Sequence, residues 1–379
     1  MKIGFVTTSY PRYNGDAAGS FIAEQVMALR SLGHDVKVIA PEFDGEDFGD
    51  AIRIRFKPRL ARNLAYGNGI WPNLKKNPLL LLAIPGFMKS FEKTIREEFA
   101  DREVIEAVFT AAGKAVANAR RPGQAIVYAG HGSDIHLLER STIYRRQFGQ
   151  MINSFDGVAV VSQYLAKKIT SFFPNINPIV IPNGVSDEIF TFGETWLSTP
   201  TAIYSSRFIP LKRIDMLVSA WAKVVKEIPH AKLLLFGDGP LVLKCKEIVE
   251  KKRIENNVVF KGRVPQNKLW IEMGNAWLTL LVSKEEGFGI GLLESLACGC
   301  PFIAAPCGAA PEIAERTGGG IIINEPLNIE KLAETIISAF SNKNILKKMG
   351  ELGKKKVYEN YLWRDAAKMR LDYYRKTIK

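Results

Sequence analysis

The chain has 379 residues, 47% hydrophobic and 24% charged, which suits a soluble globular protein long enough for two full cores. Its 52 basic and 39 acidic residues leave a net charge of +13, so anionic partners are favoured: nucleic acid, phosphorylated ligands or a membrane surface. The longest apolar run, Leu79 to Ile84, sits between Pro78 and Pro85 and is too short to span a bilayer, and MKIGFVTTSY reads as a strand rather than a signal peptide. Of the four cysteines, Cys298, Cys300 and Cys307 lie close together with no histidine nearby, a pattern that suits buried thiols in a reducing compartment rather than zinc.

Lys2 to Thr8 predicts a short strand, followed by the loop Ser9 to Gly19, SYPRYNGDAAG. Phe21, Ile22, Val26, Leu29 and Leu32 then mark one face of a helix that stops at Gly33. Asp35 to Ala40 predicts the next strand, so the chain opens on a βαβ unit with parallel strands. The loop is not G-x-G-x-x-G, which argues against a dinucleotide, yet its place at the carboxyl end of the first strand marks a ligand crevice.

No acidic residue occurs from Ala51 to Phe91, where Arg53, Arg55, Lys57, Arg59, Arg62, Lys75, Lys76 and Lys89 are interleaved with Trp71, Leu79 to Leu82, Phe87 and Met88. The stretch reads either as a solvated basic loop leading into a core helix or as a surface resting on anionic lipid. Ala125 to Ala129 predicts a strand ending in Gly130-His131-Gly132-Ser133-Asp134, with His131 either facing the crevice or holding a structural place. Val158 to Ser162 and Pro178 to Pro182 are further short strands. Asn183-Gly184 is a turn signal and sets the domain boundary. The resulting domains are 1–184 and 185–361, with a C-terminal helix, 362–379, packing back onto the first.

The alternation then restarts. Ala202 to Ser206 predicts a strand, with Arg207, Lys212 and Arg213 after it and a helix from Asp215 to Lys226. Neither Arg207 nor Lys212 has an acidic partner nearby in sequence, because Asp215 suits a helix cap, so both charges are expected to be available to a ligand. Lys232 to Phe236 predicts a strand ending in Gly237-Asp238-Gly239-Pro240, and Val258 to Lys261 another, ending in Gly262 and Arg263. Pro265 to Ala276 and Ile329 to Phe340 read as helices, Phe302 to Ala305 and Gly320 to Ile323 as strands, and the basic, aromatic tail from Ile345 as helical.

The most informative stretch is Val282 to Glu294, VSKEEGFGIGLLE. Ala276 to Val282 predicts a buried strand, and Leu292, Leu293, Leu296 and Ala297 recur at helical spacing, so a helix starts near Ile290. A glycine turn at a helix N-terminus lets backbone N–H groups approach an anion. Glu286 on the turn and Glu294 in the helix add carboxylates, which suit neutral hydroxyls gripped next to a phosphate. That combination describes a nucleotide sugar. Such turns also occur as plain structure in α/β proteins, and the rest of the chain has to decide.

Taken together, these residues resemble the retaining glycosyltransferases of the GT-B fold, group 1, glycosyltransferase family 4. The resemblance covers almost the whole chain. Glu286 and Glu294 match the E-x7-E motif within EGFGIGLLESLACGCPFIA, and Pro311-Glu312-Ile313 follows in register. Arg207 and Lys212 match the basic pair for the donor diphosphate. IPNGV (Ile181 to Val185), FGDGP (Phe236 to Pro240), FKGRV (Phe260 to Val264), HGSD (His131 to Asp134) and the glycine loop Gly15 to Gly19 also match. One departure is IEAVF at Ile105 to Phe109, where Glu106 and Val108 stand in place of family histidines.

The resemblance implies two doubly wound, Rossmann-like α/β domains facing across a cleft. It implies a hexosyltransferase that moves a sugar from a nucleotide-diphosphate sugar to an acceptor hydroxyl of a glycan or lipid-linked acceptor, with retention. His131, Glu286, Arg207 and Lys212 would be catalytic. The donor would meet Gly19, Arg207, Lys212, Gly237, Arg263, Val264, Glu286, Gly287, Phe288, Gly289, Ile290 and Glu294. The implied cofactors are none: the nucleotide sugar is a co-substrate, and without a D-x-D motif no Mg²⁺ or Mn²⁺ is implied. A cytoplasmic place, peripheral on the inner face of the plasma membrane, suits the basic stretch. Two other readings stay open: a GT-B epimerase or hydrolase sharing the donor site, and a non-enzymatic basic protein that binds nucleic acid, for which no motif is visible.

Overall fold

The computed structural model describes residues 1–13, 15–43, 51–56, 59–66, 69–193 and 195–378; Lys57 and the side chains of Arg59 and Trp71, all in the basic stretch, lie outside the described residues. The chain divides into two compact units, Met1–Pro182 with Trp363–Lys379, and Asn183–Leu362.

In the first unit the described residues form a parallel sheet of β1 (Lys2–Thr7), β2 (Asp35–Pro41), β3 (Ala51–Ile54), β4 (Val104–Val108), β5 (Ala125–Gly130), β6 (Gly157–Val160) and β7 (Ile179–Val180). Their order across the sheet is β3-β2-β1-β4-β5-β6-β7. Phe5, Val38, Val104, Ile105, Ile126 and Val127 are completely buried, because helices cover both faces and the strands need apolar side chains on each. The order reverses between β1 and β4, which is where the loops after neighbouring strands diverge and leave room for a ligand.

The basic composition from Ala51 onward suggests a loop. The structure instead makes Ala51–Ile54 an edge strand on β2, with Val38 opposite Ala51 and Pro41 opposite Ile54. An arginine is tolerated there because Arg53 leaves the sheet edge to donate to the Pro11 carbonyl and to the Tyr66 hydroxyl, 3.1 Å away. Beyond it run a 3₁₀ turn (Arg59–Leu64), a helix (Ile70–Lys76), a second 3₁₀ turn (Pro78–Ala83) and a long helix (Ile84–Glu98). Phe56, Phe87 and Phe91 stack beneath them, Phe56 and Phe87 with ring centroids 4.6 Å apart.

The helix Trp363–Thr377 belongs to this first unit and packs against the helix Ser20–Ser31. It is held by Glu106, on β4 rather than after it. The fully buried Glu106 carboxylate pairs with Arg370 at 2.6 Å and accepts from the Tyr374 hydroxyl and from Gln25 Nε2, 3.1 Å away. The glutamate standing in place of a family histidine is therefore structural. It supplies the counter-charge that lets a buried arginine fasten the last helix.

The second unit has a parallel sheet of β8 (Thr201–Ser205), β9 (Lys232–Phe236), β10 (Val258–Gly262), β11 (Leu278–Leu281), β12 (Phe302–Ala304) and β13 (Gly320–Ile322), in the order β10-β9-β8-β11-β12-β13. Here the order reverses between β8 and β11. Trp221, Tyr204, Leu235, Leu278 and Ile336 fill its core. The segments that enter and leave this unit run side by side: Val185 bridges Leu362 in parallel, and its N–H donates to the Tyr361 carbonyl at 2.8 Å. No helix among the described residues is long and apolar enough to cross a membrane.

Candidate active site

In the second unit, Arg207, Lys212, Gly237, Arg263, Val264 and Glu286 to Ile290 all follow the carboxyl ends of β8 to β11, on one edge of the sheet. The ends of three strands are tied together there. The Ser206 N–H donates to the Phe236 carbonyl at 3.1 Å, Phe208 N–H to Asp238 at 2.9 Å and Gly237 N–H to Gly262 at 2.8 Å. Only glycine fits at 237: its φ is 118°, and a Cβ would stand 1.9 Å from the Ser206 carbonyl oxygen. Arg263 lies 4.0 Å from Asp238, both side chains well exposed, and Val264 follows half-buried.

Arg207 is exposed, and its guanidinium makes no hydrogen bond or ion pair among the described residues. Lys212 differs, and the expectation that its charge is unpartnered is wrong. Its ammonium makes a short ion pair with Glu286, 74 residues away in sequence, with both side chains largely buried. The Ser283 hydroxyl also donates to Glu286, at 2.9 Å, and the Lys284 N–H donates to the Leu211 carbonyl at 2.9 Å. Two loops at the point where the strand order reverses are thus laced together. Gly308 backs this arrangement: its φ is 56°, and a Cβ would come within 2.8 Å of the Glu286 backbone oxygen. Asp215 is not the helix cap either. Arg213 takes that place in a left-handed conformation, and Asp215 lies in the first turn, paired with Lys244 at 2.5 Å, a contact that an aspartate one residue inside the helix can reach.

The helix Ile290–Ala297 begins after Gly289 without a side-chain cap. Its first-turn N–H groups carry the positive end of the helix dipole beside Phe288, which is buried, and Gly287. Glu294 sits a turn inside. Its carboxylate accepts from Gln266 and from Trp270 Nε1, at 3.2 Å, both on the helix Gln266–Asn275. Ser283, Gln266 and Trp270 went unnoticed in the sequence because single polar or aromatic residues in a helix or loop carry no pattern. The nearby thiols are buried and unreactive: burial raises Cys307 to about 12 and Cys300 to about 11.

Gly19 and His131 belong to the first unit. Gly19 caps the helix Ser20–Ser31 in a left-handed conformation, and the loop before it is cross-tied, with Asp16 accepting from Arg12 Nε at 2.7 Å and from the Ala18 N–H at 3.1 Å. Phe21, at the start of that helix, lies with its ring 4.7 Å from the His131 ring. His131 follows β5. Both its ring nitrogens are buried and have no hydrogen-bond partner among the described residues. Burial, with Arg370 adding a like charge, lowers its pKa to about 3, so the imidazole is neutral. Beneath it the buried Asp134 accepts from Tyr128, Thr110 and the Ile135 N–H and pins the turn, while burial raises its own carboxyl.

A glycosyl transferases group 1 model matches residues 187–356, and a glycosyltransferase family 4 model matches residues 18–189. N-acetyl-alpha-D-glucosaminyl L-malate synthase of Bacillus anthracis is 30% identical over 246 residues, covering 62% of this chain. The chain spans 64% of that protein's length, and 22% and 61% of two further curated relatives. A GDP-mannose-dependent alpha-(1-6)-phosphatidylinositol monomannoside mannosyltransferase of Mycobacterium tuberculosis is 25% identical over 405 residues, covering 99% of this chain and 98% of that one. Among solved structures, sucrose-phosphate synthase from Thermosynechococcus elongatus matches with a TM-score of 0.80 at 19% identity, covering 99% of each chain, and shows the shared fold. With two Rossmann-like parallel sheets and family matches that run from residue 18 to residue 356, the chain belongs to the group 1 glycosyltransferases, family 4.

Proposed function

We propose that the protein transfers a sugar from a nucleotide-diphosphate sugar to an acceptor hydroxyl, keeping the anomeric configuration. The observation that carries this is the pairing of Lys212 with Glu286 beside the exposed Arg207 and the helix start at Ile290. Breaking the sugar C1–O bond puts charge on the departing diphosphate, and fixed positive groups aimed at that charge lower the barrier. Arg207 holds two phosphate oxygens at once, Lys212 supplies a compact charge, and the first-turn N–H groups of the helix add theirs.

Donor binding then exchanges one contact for two. Lys212 turns from Glu286 to the diphosphate, and Glu286, still held by Ser283, accepts from the sugar hydroxyls. Glu294, already oriented by Gln266 and Trp270, accepts from the ribose, and Arg263 and Val264 border the base. The leaving phosphate oxygen takes the acceptor's proton, so no protein nucleophile is needed. His131, neutral and without a hydrogen-bond partner among the described residues, is the polar side chain that the first unit offers to a substrate.

Two relatives support this reading, one named as a GDP-mannose-dependent phosphatidylinositol monomannoside mannosyltransferase, the other as an N-acetyl-alpha-D-glucosaminyl L-malate synthase. A lipid-linked or cell-envelope glycan acceptor fits the first. The test is incubation with UDP-, GDP- and ADP-sugars and an acceptor panel, with the anomer of any product read by NMR. A retained glycoside is expected. Free sugar alone, or an epimer, would overturn transfer while leaving donor binding intact.

A further inference from the structure

We infer that the first unit docks on an anionic phospholipid surface through a ledge made of Lys75, Lys76, Leu79, Leu81, Leu82 and Lys89. This goes beyond the basic stretch seen in the sequence, because the structure shows which side chains are spent on the core and which are left outside. In the 3₁₀ turn Pro78–Ala83, residues three apart share an edge. Leu80 and Ala83 form the inner edge, buried against the cluster that holds Phe56, Phe87 and Phe91. Leu79 and Leu82 share the second edge and are 66% and 78% exposed; Leu81, on the third, is 55% exposed. Three leucines within four residues therefore point away from the core, whereas the other large exposed apolar residues are scattered singly along the chain.

The ledge is a fixed shape. Asn77 accepts from the Leu79 N–H at 3.2 Å and caps the turn, and the stacked Phe56 and Phe87 floor it. Asn73, in the helix just before it, donates to the Tyr66 carbonyl at 2.7 Å and to the Leu64 carbonyl at 3.1 Å, fastening the ledge to the body of the unit.

The charge around the ledge selects the partner. Lys75 and Lys76 precede the leucines and Lys89 follows them, all three exposed, and no acidic residue occurs from Ala51 to Phe91. Exposed leucines between lysines match the layered chemistry of a lipid surface, with acyl chains below a sheet of phosphates. A self-association surface would set these lysines against one another in a symmetric pair. The inference does not depend on the proposed reaction, and it can fail while sugar transfer stands.

The experiment is co-sedimentation of the full chain with vesicles of phosphatidylglycerol and phosphatidylcholine, or of phosphatidylcholine alone. The wild type should sediment with the anionic vesicles and be released by salt. Leu79→Ser with Leu82→Ser should lower partitioning by about 10-fold or more, since each large apolar side chain carries a substantial transfer energy. Lys75→Gln with Lys76→Gln should lower it by about 10-fold or more at low salt, each basic residue contributing about 5-fold. These side chains stand outside the core, so both double variants should melt with the wild type. Equal recovery of wild type from anionic and neutral vesicles would overturn the inference. So would leucine variants that bind vesicles normally but shift a dimer to monomer in sedimentation velocity.

Discussion

Lys212 and Glu286 close an ion pair between the loops after β8 and β11, the two strands between which the strand order of the second unit reverses. The pair distinguishes two cations that look alike in the sequence. Arg207 is exposed and unpartnered among the described residues, whereas Lys212 holds the site together before any ligand arrives.

Arg207→Ala should therefore separate function from stability. A charge-assisted hydrogen bond is worth about 1.5–3 kcal/mol, so nucleoside diphosphate affinity should fall roughly 10- to 100-fold while nucleoside affinity holds. The melting temperature should not move. Lys212→Ala should lose both, because the largely buried Glu286 side chain is left without its cation, at about 1–3 kcal/mol of stability. Calorimetry with the diphosphate and the nucleoside, beside thermal melts, checks both. If Arg207→Ala keeps its preference for the diphosphate, the phosphate site is elsewhere.

His131 should leave a signature in the pH dependence of stability. Its pKa is about 3 folded against an ordinary 6.5. Between those values the unfolded chain binds a proton that the folded chain does not, so stability is lost as pH falls below 6.5. This single group should remove about 2 kcal/mol between pH 7 and pH 5. His131→Gln should flatten that part of the acid limb. Urea unfolding at the two pH values measures it, and an unchanged difference between them in the variant would refute the assignment of His131 as a buried neutral imidazole. In turnover, the same variant should fall roughly 100-fold with donor affinity little changed.

Glu106 and Arg370 should behave as a unit. Glu106→Gln leaves a buried guanidinium without its counter-charge and should cost about 3–5 kcal/mol. Glu106→Leu combined with Arg370→Met should recover most of that loss, since two apolar groups can replace a buried pair at little cost. A double-mutant cycle read from denaturant midpoints gives the coupling. Additive losses would show that the two residues do not depend on each other.

Gly308→Ala tests the backing of the site. The new methyl group would press on the Glu286 backbone at a residue held at φ 56°. Loss of about 1–3 kcal/mol and weaker donor binding are expected together. Ala at Gly33, also at positive φ but with nothing within 4 Å, serves as the control that changes stability without touching the donor site.

What could be read from the sequence was local. The turn Glu286 to Ile290 announces itself because glycines, a strand and a helical stripe lie within a few residues. Likewise Ile329–Phe340 shows its helical spacing plainly. What escaped was set by distance or by weak contrast. The Lys212–Glu286 pair joins residues 74 apart, and Glu106–Arg370 joins residues 264 apart, separations at which no spacing rule applies. The helix Thr110–Ala119 went unread because its alanines give no polar face to set against an apolar one. Ala51–Ile54 has two isoleucines in alternation, but the basic residues on either side hid the strand.

The return of the last helix has a consequence for how the protein comes into being. On the ribosome, Glu106 emerges early, yet Arg370 and Tyr374 follow only after the whole second unit has been made. The second unit is one continuous segment in which Val185, near its start, pairs with Leu362 at its end, so it is complete before the first unit is. Until Trp363–Thr377 has been made, the first unit leaves uncovered the part of Ser20–Ser31 on which that helix packs and carries a carboxylate with no counter-charge. Such half-built units are where nascent chains aggregate or meet chaperones. Slowing translation within residues 187–356 should therefore lengthen the vulnerable life of the first unit while leaving the second free to fold.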